Sequence, residues 1–447
     1  MKINISDART VSYKILFDVI ENGAFSNISV NNHLNAIKNE IDRKLAVNIV
    51  YGTLKKRNRL EKILDTLSKS PVDQIDPRAR IIILMSLYQI LYLDKIPEYA
   101  LVNDAVNMAK FHLNQGVGSF VNGVLRSAIR RKDELIVKEK ALSEHLFYEY
   151  GFPVWFSKLI VKHYSKDYLV ALAKEFNKSA DVFVRVNTYV TTKEDLVKEL
   201  EEIGVKCEDT YVPNTIKVIA NQNLFSSVAY KSGHFFVQDL SGVISAYALG
   251  AKKGDRTIDL CSAPGAKSFN VGIMSEDSEV ISCDVNTKKL EIVKRTAQQL
   301  GLKKLRTYKR DATKVYNDEQ NKYDNVICDV PCSGMGVIKR KPEILFNLTE
   351  KHIKDTALLQ RRILQSGVDY LKVGGTLIYS TCTINPDENQ KNVEFILSEN
   401  PSLELVEIKL PFELPTKHDE MKKGQLMLDP TRDGCDGFFM AKLTKKS

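Results

Sequence analysis

From about residue 251 onward, short apolar runs alternate with helical patterns. Segments 257–260, 280–283, 305–308, 325–330 and 376–379 read as buried strands, and 266–274, 287–300, 350–371 and 387–398 as helices. Strands this short, separated by helices, pair in parallel with crossovers on both faces, so a doubly wound sheet is expected. Segment 438–443 adds a last strand. Ligands of such sheets bind outside the carboxyl ends of the strands. The residues that close each strand are therefore the first candidates for a site.

Those residues are mostly acids. Asp259 closes the first strand and runs into the small-residue turn Cys261, Ser262, Ala263, Pro264, Gly265, Ala266 and Lys267. Asp284 closes the second, placed to accept hydrogen bonds from ribose hydroxyls, and Asp311 follows the third, near where an adenine edge would lie. Three acids at successive strand ends would repel a phosphate-rich ligand. Neither GxGxxG nor GxxxxGK[ST] occurs, which argues against NAD and ATP. S-adenosyl-L-methionine, with an adenosine, a cationic sulfonium and no phosphate, fits better. The competing reading of each acid taken alone is a helix cap.

Two thiols follow the later strands. Cys332 lies in Asp329-Val330-Pro331-Cys332-Ser333-Gly334, and Cys382 in Tyr379-Ser380-Thr381-Cys382-Thr383. Packing explains Cys283 and Cys328 well, but it explains poorly two cysteines placed at the ligand edge. The seven cysteines are odd in number and six lie after residue 260, so a reducing cytoplasmic setting is expected rather than disulfides. No spacing suits zinc. Segment 1–10 is polar and no apolar run is long enough for a membrane span, so neither signal peptide nor membrane association is expected.

Ahead of the sheet, 1–140 reads as an all-helical bundle, with apolar stripes such as Val11, Ile15, Leu16, Val19 and Ile20. It carries the basic runs Lys55-Lys56-Arg57-Asn58-Arg59 and Arg130-Arg131-Lys132, read either as a solvated face or as an RNA contact. Segment 141–250 reads as connecting helices and a small α+β element, with strands at 182–186 and 215–220 around a helix at 192–203. The formal charge of +9 favours a polyanionic partner, though only weakly.

The stretch Asp259 to Lys267, the run Asp329-Val330-Pro331-Cys332-Ser333-Gly334-Met335-Gly336, and Ser380-Thr381-Cys382 together resemble the motifs of RNA cytosine-C5 methyltransferases of the Nol/Nop/Sun type. Asp433-Gly434-Cys435-Asp436-Gly437-Phe438-Phe439 resembles that family's final strand motif, and 1–140 resembles a NusB-type RNA-binding domain. The resemblance implies a multidomain chain: a NusB-like all-α bundle (1–140), a small α+β linker domain that binds RNA (141–250), and a Rossmann-like α/β methyltransferase with a mainly parallel seven-stranded sheet (251–447). It implies a monomer acting on 16S rRNA or an early small-subunit assembly intermediate. A transfer-RNA methyltransferase and a non-catalytic assembly or antitermination factor are the rival readings.

It also implies roles: Cys382 as nucleophile, Cys332 in product release, and Asp329 at the base edge and cofactor. DNA cytosine methyltransferases use a Pro-Cys nucleophile, so the sequence leaves a swap of the two cysteines open. Lys267 could hold the base or the cofactor carboxylate, or be solvated, and Lys339-Arg340-Lys341 would meet phosphates if RNA enters there. The chain departs from the family pattern at Ala266, Val330 and Met335, where glycine, alanine and threonine are usual; none of these is a reacting group.

Overall fold

The computed structural model describes residues 7–94, 96–136, 139–220 and 224–446. It divides into two compact units, Met1–Ser179 with Ile338–Asn347, and Ala180–Val337 with Leu348–Ser447.

The first unit is helical. Helices Asp7–Ile20, Glu40–Lys55, Arg57–Leu67, Glu98–His112 and Gln115–Arg130 surround Pro77–Tyr92, and Ser26–His33 packs on Asp7–Ile20. That helix is buried continuously from Ile81 to Leu91, which a helix apolar on all sides requires. Asp76 caps it by accepting from the Arg78 N–H at 2.9 Å, with Pro77 in the first turn. The outer helices bury one stripe each, such as Gly118, Val121, Val124, Leu125 and Ala128 of Gln115–Arg130. Buried Arg9 ties three helices together, donating to Asp104 at 2.6 Å and Gln89 at 2.9 Å.

The basic run at 55–59 is neither a solvated face nor a surface offered to RNA. Lys55 Nζ donates to the Lys178 carbonyl at 2.6 Å, at the negative end of helix Lys166–Asn177. Lys56 pairs with Glu149, and Arg57 with Glu61 at 2.8 Å. Arg59 grips Glu139 with both terminal nitrogens, the second at 2.6 Å. The run joins the bundle to the connecting helices. Segment 338–347 belongs to this unit too. Lys339 pairs with Glu175 at 2.7 Å, Lys341 lies 5.0 Å from the Phe25 ring, and Glu343 accepts from the Ser26 N–H at 2.9 Å. Lys339 is thus engaged inside the protein rather than held ready for phosphates, while Lys341 lies over the exposed Phe25 ring.

The second unit begins with β1 (Val182–Val186), β2 (Lys206–Asp209), β3 (Thr215–Ala220) and β4 (Phe235–Val237). They form an antiparallel sheet in the order β2-β3-β1-β4. The intervening helix starts at Lys193, where the Thr192 hydroxyl accepts from the Asp195 N–H. The larger sheet contains β5 (Arg256–Asp259), β6 (Glu279–Asp284), β7 (Leu305–Lys309), β8 (Tyr323–Asp329), β9 (Leu371–Thr381), β10 (Leu403–Leu405), β11 (Gln425–Leu428) and β12 (Phe438–Lys445). Its order is β10-β12-β9-β8-β5-β6-β7, with β11 also on β12. The five strands from β9 to β7 are parallel, and β12 is antiparallel to β9.

Among the described residues the expected seven strands are eight. β9 occupies one edge of β12, and the other edge is shared end to end by the short β11 and β10. Strands of three and four residues leave too little periodicity to be read in advance. From β5 the chain winds to β6 and β7 on one side, and from β8 to β9 on the other. The carboxyl ends of β5 and β8 therefore flank the topological switch point, where a doubly wound sheet opens a crevice.

The Arg59–Glu139 pair is almost fully desolvated, with side chains 3% and 4% exposed. Arg59→Ala should therefore destabilise the helical unit by about 3–5 kcal/mol, the cost of stranding one partner of a buried pair. Arg130→Ala, on the surface, should change stability by less than about 0.5 kcal/mol. Urea unfolding followed by circular dichroism compares them; equal midpoints would return the 55–59 run to a solvated face.

Candidate active site

The turn after β5 is built to bring backbone close to a ligand. The Gly265 N–H donates to Ser262 O at 2.6 Å, and the Ala263–Pro264 peptide is cis. Gly265 has φ +106°, and a Cβ there would lie 2.4 Å from the Phe269 ring, so only glycine fits. Helix Ala266–Met274 starts immediately after it. Ala266 is thus already helical, and its methyl replaces the family's glycine without strain.

The strand-end acids separate into different environments. Asp259 is fully buried and accepts from the Ser268 hydroxyl at 2.8 Å. Burial, with the nearby Asp329 charge, pushes its carboxyl up to about 7. It lies beneath the turn rather than at the rim. Asp284 is half-buried at the end of β6; one oxygen accepts from the Asn286 N–H at 2.8 Å. Asp311 accepts from the Thr313 N–H at 3.0 Å and its hydroxyl at 2.7 Å, so the capping reading describes part of its work. Asp329 is held on both sides, by Lys267 Nζ at 2.6 Å and the Ser380 hydroxyl at 2.8 Å. Lys267 therefore aims a carboxylate. Cys261 is half-exposed as a residue, yet burial of its thiol keeps its pKa well above the usual range.

The two cysteines meet because their strands are neighbours. Asp329 on β8 pairs with Ser380 on β9, and the Val330 N–H donates to Ser380 O at 3.1 Å. Three residues on from Asp329 and two on from Ser380, Cys332 and Cys382 come together with their sulfurs 3.3 Å apart. The turns are interlocked. The Gly336 N–H donates to Cys382 O and the Gly437 N–H to Gly336 O, each at 3.0 Å. A Cβ on Gly336 would lie 1.9 Å from Gly437 O. The closing 433–437 motif thus clamps the first cysteine turn onto the second.

The hydrogen bond to Cys382, then burial, then the charges of Cys382 and Glu388, hold the Cys332 thiol well above its usual pKa. Either sulfur could donate in the contact between them, and the raised Cys332 holds its proton tightly. Ser380 and Gly336 stand inside the quoted motifs without a role of their own, and Gln360 and Glu388 were not singled out from sequence. Glu388 follows Cys382 by six residues in Asn385-Pro386-Asp387-Glu388-Asn389, an acid-and-amide cluster beside a reactive turn. Among the described residues no cluster of side chains could hold a metal.

Because Asp259 is raised from 3.8 to about 7, the folded chain holds that proton more tightly than the unfolded chain. The stability this contributes is full below about pH 4 and is lost as pH rises through about 7. Asp259→Asn keeps an acceptor for Ser268 and cannot ionise. It should gain on the wild type across that window, by at most about 4 kcal/mol above pH 7. Urea titrations at pH 5 and pH 8 test this; a difference that does not grow with pH would contradict it.

Residues 246–444 match the family described as 16S rRNA methyltransferase RsmB/F. Residues 6–130 match the NusB family, and 152–224 the ferredoxin-like domain of RsmF/B-like methyltransferases. The probable ribosomal RNA small subunit methyltransferase B of Bacillus subtilis (strain 168) is 29% identical over 99% of both chains. The ribosomal RNA small subunit methyltransferase B of Shigella flexneri is 27% identical over 98% of both. Among solved structures, PH0851 covers 100% of both chains with TM-score 0.87 and 25% identity. NSun6 from Pyrococcus horikoshii, crystallised with SFG, covers 66% of this chain and 99% of its own, with TM-score 0.59 and 22% identity, a likeness of fold. By residues 246–444 the chain matches the 16S rRNA methyltransferase RsmB/F family, whose members depend on S-adenosylmethionine, and along its whole length it is similar to small subunit methyltransferases B.

Proposed function

We propose that this chain methylates carbon 5 of a cytosine in 16S rRNA through a covalent bond from Cys382 to carbon 6. The observation that carries the reading is the pair of sulfurs 3.3 Å apart past the carboxyl ends of β8 and β9, beside the Lys267–Asp329 pair. When bound, S-adenosylmethionine supplies an electrophilic methyl group. The residues present suit it: Gly265 lets backbone approach, Asp284 has an oxygen left for ribose hydroxyls, and exposed Val285 beside it offers an apolar surface for a base. Cys261, Ser262, Ala263, Pro264, Gly265, Ala266 and Lys267 line this side, with Asp311 and Asp329 at the neighbouring strand ends.

Carbon 5 of cytosine is a weak nucleophile. Attack by the Cys382 thiolate on carbon 6 puts electron density on carbon 5, which then takes the methyl group. Asp329, fixed by Lys267 and Ser380, contacts the base edge. Once Cys382 is bonded to carbon, the hydrogen bond and negative charge that held the Cys332 proton are gone. Cys332 then loses it to solvent and takes the carbon 5 proton instead. As it does so, the bond from carbon 6 to Cys382 breaks and the resting thiol–thiolate pair returns. One proton is released per methyl group transferred, so the cycle balances. The target cytosine must be splayed out of its RNA to reach this pocket. The NusB-type unit supplies the RNA contact, and its exposed Arg126 and Arg130, with Arg131 and Lys132, form the surface suited to phosphates.

Bisulfite sequencing of RNA, together with denaturing gels, tests the two roles. Cys382→Ala should abolish both 5-methylcytosine and any protein–RNA adduct. Cys332→Ala should transfer a methyl once and then remain bonded to its RNA, because loss of a release group stops the last step. The double variant should form no adduct. An adduct with Cys382→Ala and none with Cys332→Ala would exchange the roles.

A further inference from the structure

Cys332 is held from both sides by groups outside its own turn. Gln360 Nε2 donates to the Pro331 carbonyl at 2.8 Å, just before it. Just after it, the Ser333 N–H donates to Glu388 Oε1 at 2.8 Å and the Ser333 hydroxyl to Oε2 at 2.5 Å. Gln360 Nε2 also reaches Oε1 at 3.0 Å, and Asn385 Nδ2 reaches Oε2 at 3.1 Å. Glu388 is fully buried, and among the described residues its partners are these neutral donors rather than a cation. A buried carboxylate is costly unless such bonds satisfy it. Glu388 also stands on the turn that follows Cys382, where the Thr383 and Ser333 hydroxyls lie 2.8 Å apart. One side chain from the nucleophile's turn thus grips the backbone beside the other thiol.

We propose that Glu388 is a positioning residue for the release step: its side chain locks the Cys332 turn to the Cys382 turn and so holds the Cys332 sulfur where the carbon 5 proton must leave. This rests on the thiol roles given above. The titratable groups that face Cys332 are Cys382, Glu388 and Tyr379, and the Asp329 carboxylate is occupied by Lys267. Replacing the carboxylate by an amide removes one negative charge and turns a second donor toward Asn385. Both changes free the Cys332 proton and loosen its turn.

The test uses the full-length chain and two readouts. The first is the pH dependence of Cys332 alkylation by iodoacetamide, measured with Cys382→Ala as background so that no methyl transfer is involved. Glu388→Gln should move alkylation to lower pH, and Glu388→Asp, which keeps the charge, should move it back toward the parent. The second readout is RNA adduct formation with Cys382 present. Glu388→Gln should accumulate adduct and lose turnover on the order of a hundredfold, the lower range for a positioned proton-transfer group, while the first methyl transfer is less affected. An unchanged alkylation profile together with no adduct would overturn the proposal. Ser333→Ala removes the 2.5 Å link and leaves the charge, so it should give adduct without the pH shift. Its failure to do so overturns the positioning role even where Glu388→Gln does not fold. If instead the thiol roles are reversed, the alkylation shift persists while adduct forms through Cys332, so the two failures are distinguishable.

Discussion

The active site depends on the pairing of two adjacent parallel strands. β8 and β9 pair with Asp329 opposite Ser380, so the chains that leave them carry Cys332 and Cys382 to one point. Neither turn could hold a sulfur there alone. Gly336 accepts a backbone approach that a methyl group would block, and the 433–437 turn, entering β12, presses on it. Buried amides and a carboxylate from helix Glu350–Tyr370 and the 383–389 turn complete the support. The same register places Ser380 against Asp329, which fixes the carboxylate that Lys267 also holds. A half-satisfied polar network would be worse than an apolar core. This one gives Glu388 four donors, which is consistent with a site that needs a fixed distance between two sulfurs.

In the proposed cycle, proximity gives two equal thiols different protonation states. A thiol near its ordinary pKa is only a few per cent ionised at neutral pH. Sharing one proton between two sulfurs inside a dry turn lets one carry charge because the other does not. When the nucleophile is consumed, the reason for the other to hold its proton disappears with it. The proposed chemistry thereby switches Cys332 from donor to acceptor at the stage where an acceptor is needed, with no moving part.

The sequence made legible what is local. Strand ends, the glycine turn, both cysteine motifs and the long helices are encoded within a dozen residues, and they stand where the pattern puts them. What depends on distant pairing was not legible. Lys55, Lys56 and Arg59 look like a surface for RNA until Lys178, Glu149 and Glu139, some 80 to 123 positions away, close on them. Asp259 looks like its neighbours Asp284 and Asp311, yet tertiary packing puts it beneath the turn. β10 and β11 exist because β12 has an edge to cover, a need that three or four residues do not advertise. Glu388 and Gln360 carry no motif of their own, and they matter through the backbone they hold.

The central claim is that Cys382 and not Cys332 bonds to the base. RNA in which the target cytosine carries fluorine at carbon 5 tests it most directly, because no proton can then leave that carbon and the wild-type enzyme stays bonded to its product. Digestion of the trapped complex and mass spectrometry should find the methylated fluorocytosine on the peptide that contains Cys382, with the Cys332 peptide unmodified. The nucleotide on the Cys332 peptide would contradict the account and assign the nucleophile to the other strand.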